Sequence, residues 1–334
     1  MKASVFTALA LAVGLLVTGC AAPAQSMAAS EAKEGYTVGI LQYTSHSSLD
    51  EICTAIQQEL EQYALATNTP VKIVVKNGQG DAAALRDSTT LFLDQQVDMI
   101  VPIATPAALI AAATVQGSGI PLVYSAVADP VGSQLAQSME QPGNNMTGVS
   151  DQIDLNRILA LIAAQAPQLK TLGVVYNLSE PNSVAMVEQL KQLADPKGIN
   201  LVFSTVTNPG EVQMATQDLL AQKAEALFVP IDNTVASAMS TLAQQAIQAG
   251  VPVYTAADSM VRDGGLATTG VNYTQLGELT AQMVEQVLEG ADAGSLPVQL
   301  AEGGVTTVNV TTAQALGIDP QVFDLDANGF VTVE

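Results

Sequence analysis

This chain is written twice, and that limits its fold more than any other feature. Asp98-Met99-Ile100-Val101-Pro102-Ile103 is answered by Ala226-Leu227-Phe228-Val229-Pro230-Ile231. Gly119-Ile120-Pro121-Leu122-Val123-Tyr124-Ser125-Ala126 is answered by Gly250-Val251-Pro252-Val253-Tyr254-Thr255-Ala256, and Val38-Gly39-Ile40-Leu41 by Leu172-Gly173-Val174-Val175. The offsets are all about 130 residues, far longer than a solenoid period, so the unit repeated is a whole lobe. In the first copy, apolar runs near 36–41, 71–75, 97–101 and 120–124 alternate with amphipathic stretches near 49–66, 82–96 and 106–117. In the second, strands fall near 171–176, 200–206, 225–229 and 251–254, and helices near 155–166, 182–195, 210–222 and 234–249. Nearly continuous apolar strands separated by helices predict a parallel sheet covered on both faces. The expected fold is therefore α/β, with two doubly wound parallel-sheet lobes.

The N-terminus is a separate object. Lys2 precedes an apolar stretch, Ala8 to Val17, that is too short to span a bilayer comfortably. It ends in Leu16-Val17-Thr18-Gly19-Cys20, which resembles a bacterial lipobox. On that reading residues 1–19 are a signal peptide, Cys20 carries lipid, and 20–35, rich in Ala and Ser, is a flexible tether. An ordinary secretory peptide that happens to hold a cysteine is the alternative. Only Cys53 then remains as a free thiol, which leaves no intramolecular disulfide. Its neighbours Ile52, Ile56 and Leu60 make it a small buried hydrophobe rather than a nucleophile.

Charge and composition exclude some partners. Against 32 acidic residues stand 11 Lys and Arg, a formal charge of −21, which disfavours nucleic acid and anionic lipid surfaces. One histidine and one remaining thiol cannot assemble an ordinary zinc site. Asp324-Leu325-Asp326-Ala327-Asn328-Gly329 matches the first half of a calcium loop, but the chain ends at Glu334, one residue before the bidentate glutamate such a loop needs. It reads as a turn, as does Asp263-Gly264-Gly265, which lacks the rest of a dinucleotide fingerprint. No metal or cofactor is expected.

In open parallel sheets, ligands bind beyond the carboxyl ends of the strands. Polar residues gather there: Gln42, Tyr43 and His46; Thr105; Ser125 and Asp129; Asn177, Asn182 and Ser183; Asp232 and Asn233; Asp258. Loops are polar in any case, so the clustering alone is a modest signal.

A longer ordered set is more specific. Val38-Gly39-Ile40-Leu41-Gln42, Asn77-Gly78-Gln79-Gly80-Asp81, Ala126-Val127-Ala128-Asp129-Pro130-Val131-Gly132, Pro142 to Ser150, Glu180-Pro181-Asn182-Ser183, Val229 to Thr234, Asp258-Ser259-Met260-Val261 and Gly265 to Tyr273 follow one another in register. Over 36 to about 318 the chain resembles the ABC-transporter substrate-binding lipoproteins of the aromatic amino-acid, tryptophan-binding type. The resemblance implies a type I periplasmic-binding-protein fold with three crossovers. One lobe would comprise 36–148 and 273–295, the other 149–272 and 296–334. It also implies an extracytoplasmic, non-enzymatic, monomeric receptor that closes around an amino acid and delivers it to an ABC permease with its ATPase. His46-Ser47-Ser48-Leu49-Asp50 and Ala256-Ala257 depart from the family's usual His-Pro-Ala-Leu-Asp and Gly-Asp, beside the expected pocket.

In such a pocket Asp258 is the first candidate for the ligand ammonium and Asp232 the second. Thr105, Ser125, Asn182 and Ser183, just before helices, can cradle a carboxylate or act as simple caps. Tyr43 and His46 can stack on a side chain, and Asn272 sits at a crossover. Competing readings are a branched aliphatic amino acid or other small carboxylate as ligand, or a secreted enzyme on the same scaffold. The enzyme reading lacks a nucleophile elbow and a second histidine.

Overall fold

The computed structural model describes residues 35–301, 305–325 and 330–334. Cys20, the signal peptide and most of the tether lie outside them, as does most of the calcium-like segment. The first sheet is built from β1 (Tyr36–Gln42), β2 (Val71–Asn77), β3 (Met99–Ile103), β4 (Leu122–Ser125) and β5 (Met146–Ser150). Between these strands run α1 (Ser47–Thr67), α2 (Ala82–Asp94) and α3 (Thr105–Thr114). After α4 (Leu155–Gln165), the second sheet takes β6 (Thr171–Asn177), β7 (Asn200–Val206), β8 (Ala226–Val229), β9 (Val253–Thr255) and β10 (Ala267–Thr268). Its helices are α5 (Pro181–Ala194), α6 (Val212–Ala221), α7 (Asn233–Ala236), α8 (Met239–Gln248) and α9 (Asp258–Arg262). The chain closes with α10 (Tyr273–Leu288), β11 (Gln299–Leu300), β12 (Thr306–Asn309), α11 (Val310–Leu316) and β13 (Phe330–Val333).

The repeat in the sequence is a repeat in topology. The first sheet runs β2-β1-β3-β4-β5-β11 and the second β7-β6-β8-β9-β10-β12-β13. Each is a doubly wound 2-1-3-4-5 order with strands added at one edge. All pairings are parallel except β10 with β12. The matched glycines show why the motif recurs. A Cβ on Gly39 would lie 2.9 Å from the Phe92 ring, and one on Gly173 would lie 2.6 Å from Leu227 Cδ2. Both strands need a bare backbone where a neighbouring side chain packs onto them.

The chain passes between the sheets three times: from Ser150 to Leu155, from Thr268 to Tyr273, and between Leu300 and Thr306. Helix α10 returns to pack on α1, β4 and β5 of the first sheet. Strand β11 also pairs with β5, so the third passage falls a few residues beyond 295. The helix expected over 234–249 is broken in two. Ser237 Oγ donates back to Asn233 O at 2.8 Å, and Ala238 leaves the helical region at φ −125° before α8 begins. Tyr124 and Tyr254, equivalent in the repeat, are both fully buried core residues.

Candidate functional site

In a 2-1-3-4-5 sheet the strand order reverses between the first and third strands, and the loops there splay apart to leave a crevice. Here that crevice occurs twice, between β1 and β3 and between β6 and β8, and the two face each other. His46, Ser48 and Leu49 follow β1, and Ala104 and Thr105 follow β3. Asn182 follows β6, and Ile231, Asp232, Asn233 and Ala236 follow β8. Ala126, Asp151, Ala257, Met260 and Tyr273 complete the wall. Asp151 lies on the first passage between the lobes, and Tyr273 ends the second.

The wall is half apolar (Leu49, Ala104, Ala126, Ile231, Ala236, Ala257, Met260) and half polar. Two of its small residues have left-handed backbone, Ala104 at φ +80° and Ala126 at φ +55°. Such conformations are costly away from glycine and gather at binding sites, where the surrounding fold enforces them. None of the described lining residues is Lys or Arg. The charge of the site is negative, and any anionic group of a ligand must be met by neutral donors. Helices α1 and α3 begin at the crevice with His46 and Ala104 as N-caps and no side-chain cap on either, which leaves first-turn amides to serve as those donors.

Behind the second-lobe wall stands Glu180, fully buried. It accepts from Asn233 N and Nδ2 (3.0 and 2.6 Å), from Thr234 N and Oγ1 (2.9 and 2.8 Å) and from Asn182 Nδ2 (3.3 Å). Asp232 accepts from Asn177 N, Ser183 Oγ and Val235 N at 2.6, 2.6 and 2.8 Å. Burial, and after it the charge of Glu180, raises the Asp232 carboxyl above its usual range. The same two causes, with burial leading, push the Tyr43 hydroxyl up to about 12. Asp151 is wholly buried. Tyr273 donates to its Oδ2 at 3.0 Å, and burial raises its carboxyl to about 6.

His46, Thr105, Asn182, Asp232 and Asn233 thus meet in one crevice. The other residues singled out in the sequence have different settings. Gln42 donates to Thr44 O and Asp50 Oδ1, bracing the β1–α1 loop. Ser125 pairs with Thr280 of α10 at 2.7 Å, and Asp129 caps its own turn at Gly132 N. Ser183 holds Asp232 and Ile231 O from behind. Asn272 caps α10 and donates to Asp258 Oδ2 at 3.2 Å. Asp258 follows the lining residue Ala257 without lining the crevice itself; its Oδ2 also takes Arg262 Nη1 at 2.9 Å, and its buried Oδ1 has no protein partner. Ser48, Asp151 and Glu180 were missed. For Asp151 and Glu180 the one sign is a carboxylate flanked by uncharged residues just after a strand or just before a helix; Ser48, inside α1, carries none.

Bonds cross the crevice mouth. Ser48 Oγ meets Ser259 Oγ at 2.5 Å, Ser47 donates to Asp263, and His46 Nε2 lies 3.1 Å from Asn233 Oδ1. The lobes are closed on each other.

Two facing doubly wound lobes, hinged by three strands and closed over a strand-end crevice, define a solute receptor. The chain belongs to the ABC transporter substrate binding protein family, whose model matches residues 37–322. It is 31% identical over 306 residues to a tyrosine-binding protein of Clostridioides difficile, covering 90% of this chain and 88% of the relative. A domain from Streptococcus pneumonia solved in complex with L-Trp is 33% identical, with a TM-score of 0.81 over 90% of this chain and all of that one. A ligand-free, open substrate binding protein from Clostridium difficile is 32% identical and covers 90% of this chain and 99% of its own, yet its TM-score is 0.66. At nearly equal identity the chain fits the ligand-bound relative better, in agreement with the bonds across its mouth. It is an extracytoplasmic receptor that works with an ABC transporter, and not an enzyme.

Proposed function

We propose that this receptor binds an aromatic amino acid, with tryptophan favoured, and is held at the membrane by a lipid on Cys20. The observation that carries the ligand assignment is the mixed lining of the crevice, apolar residues together with carboxylates and uncapped helix starts. An α-amino acid with a large apolar side chain has the same mixture of chemistry. The ligands of the tyrosine- and tryptophan-binding relatives support this reading.

Gln42, Tyr43, Ser125, Asp129, Ser183, Asp258 and Asn272 act around the crevice, holding its wall or its hinge in place. His46, Thr105, Asn182, Asp232 and Asn233 face the ligand. The receptor works as a monomer with its permease and ATPase. Mass spectrometry of small molecules released on denaturing the purified protein tests the ligand. An aromatic amino acid at near-stoichiometric amount is expected, and a sugar or an aliphatic amino acid alone would overturn the assignment. Cell fractionation of Cys20→Ala tests the anchor. Release of the variant from membranes is expected, and retention there would rule the lipid out.

A further inference from the structure

Three buried acceptor atoms on the crevice wall have no protein partner: Asp151 Oδ1, Asn182 Oδ1 and His46 Nδ1. A buried polar atom left unpaired is destabilising, so three in one crevice call for a reason. The surrounding bonds fix the identity of each atom. Asn182 Nδ2 donates to Ile231 O and Glu180 Oε2, both pure acceptors, so the free atom of that amide is its oxygen. Asn233 Nδ2 donates to Glu180, so Asn233 Oδ1 must accept, and His46 Nε2 therefore carries the proton. Burial lowers the affinity of the ring for a second proton, which leaves Nδ1 as a bare lone pair. Asp151 Oδ2 is held by Tyr273, which turns Oδ1 loose.

We propose that these three atoms are the seat of the ligand's α-ammonium group, with Asp151 supplying the negative charge. A primary ammonium has three N–H donors and no acceptor, which matches three acceptors and no donor. The three residues come from different parts of the molecule. His46 belongs to the first lobe, Asn182 to the second, and Asp151 to the strand between them. An ammonium bonded to all three ties the lobes to the hinge, so it binds the closed form in preference to the open one. Tyr273, at the end of the second passage, is the positioning residue.

The inference rests on the amino-acid reading, and its test separates the two. Calorimetry on ligand-stripped protein compares L-tryptophan with indole-3-propionate, which lacks only the amine, and L-leucine with 4-methylpentanoate. The amine-free partner is expected to bind roughly 100-fold more weakly or worse, and Asp151→Asn to abolish that preference. Equal affinity for the two members of a pair in the wild-type protein, a comparison that needs no variant to fold, overturns the seat and leaves the aromatic reading intact. So does a preference that survives in Asp151→Asn. A preference shown by the leucine pair with the tryptophan pair silent overturns the aromatic reading and upholds the seat. No binding in either pair overturns both.

Discussion

Arg262 of α9 grips Glu51 of α1 across the mouth of the crevice, with Nη2 2.5 and 2.6 Å from the two carboxylate oxygens. Its Nη1 holds Asp258 of its own lobe at 2.9 Å. One guanidinium thus bridges the two lobes in the closed form, through both oxygens of the Glu51 carboxylate.

The bridge is partly exposed, with 35% of the Arg262 side chain and 26% of that of Glu51 open to solvent, so its contribution is small and screened by salt. Glu51→Gln is expected to weaken ligand binding about 3- to 5-fold, chiefly by faster release, and to raise the radius of gyration of the ligand-free protein. Stopped-flow dissociation and solution scattering at low salt check this. Unchanged release would mean the bridge does not latch the closed state.

Glu180 makes a different kind of prediction, because five donors depend on one buried side chain. Glu180→Ala leaves those donors unsatisfied and is expected to cost about 3 kcal/mol or more of stability. Chemical denaturation should show a lower midpoint with an unchanged slope. A midpoint within error of the wild type would contradict the bonding described here.

The Asp151 carboxyl sets a pH dependence with a definite sign. Its value of about 6 in the folded protein lies above the ordinary 3.8, so between those limits the folded state binds more protons than the unfolded one. Stability from this group is therefore present below 3.8 and is lost as pH rises through about 6. Asp232, raised by burial and Glu180, acts in the same direction. A ligand ammonium reverses the balance at Asp151, since it favours the ionised form. The groups around it are the Tyr273 hydroxyl, His46 and Asp232 on the crevice wall, and Asp258 and Glu51 near Tyr273. Affinity is expected to rise from pH 5 to pH 7 with release of a proton, measurable by calorimetry in buffers of different ionisation heat. Asp151→Asn should flatten the profile.

The sequence was most legible where two copies could be compared. The match of Val38-Gly39-Ile40 with Leu172-Gly173-Val174 placed both first strands, and the same 2-1-3-4-5 order followed in each lobe. His46, Thr105, Asn182, Asp232 and Asn233 stood out because they follow strands that the repeat defines. Asp151 did not, because it lies beyond β5 on the passage between the lobes rather than in a loop that leads from a strand into a helix of the same lobe. The Arg262 partner of Asp258 was not legible either. A carboxylate at a strand end looks free until the i+4 arginine is folded against it, and only the turn of α9 brings Arg262 there. Ser125 and Gln42 share the strand-end signature with crevice residues, but their side chains turn to α10 and to the β1–α1 loop instead.

The central claim, closure around an aromatic amino acid, is tested most directly by titrating L-tryptophan into ligand-free protein. The chain has no tryptophan and seven tyrosines, so its own emission is that of tyrosine. Bound indole should emit at shorter wavelength than free indole and quench the tyrosines by energy transfer, saturating at one equivalent. Calorimetry should return the same stoichiometry, and scattering a smaller radius of gyration. Absence of heat and of any spectral shift with tryptophan, phenylalanine and tyrosine alike would contradict the account.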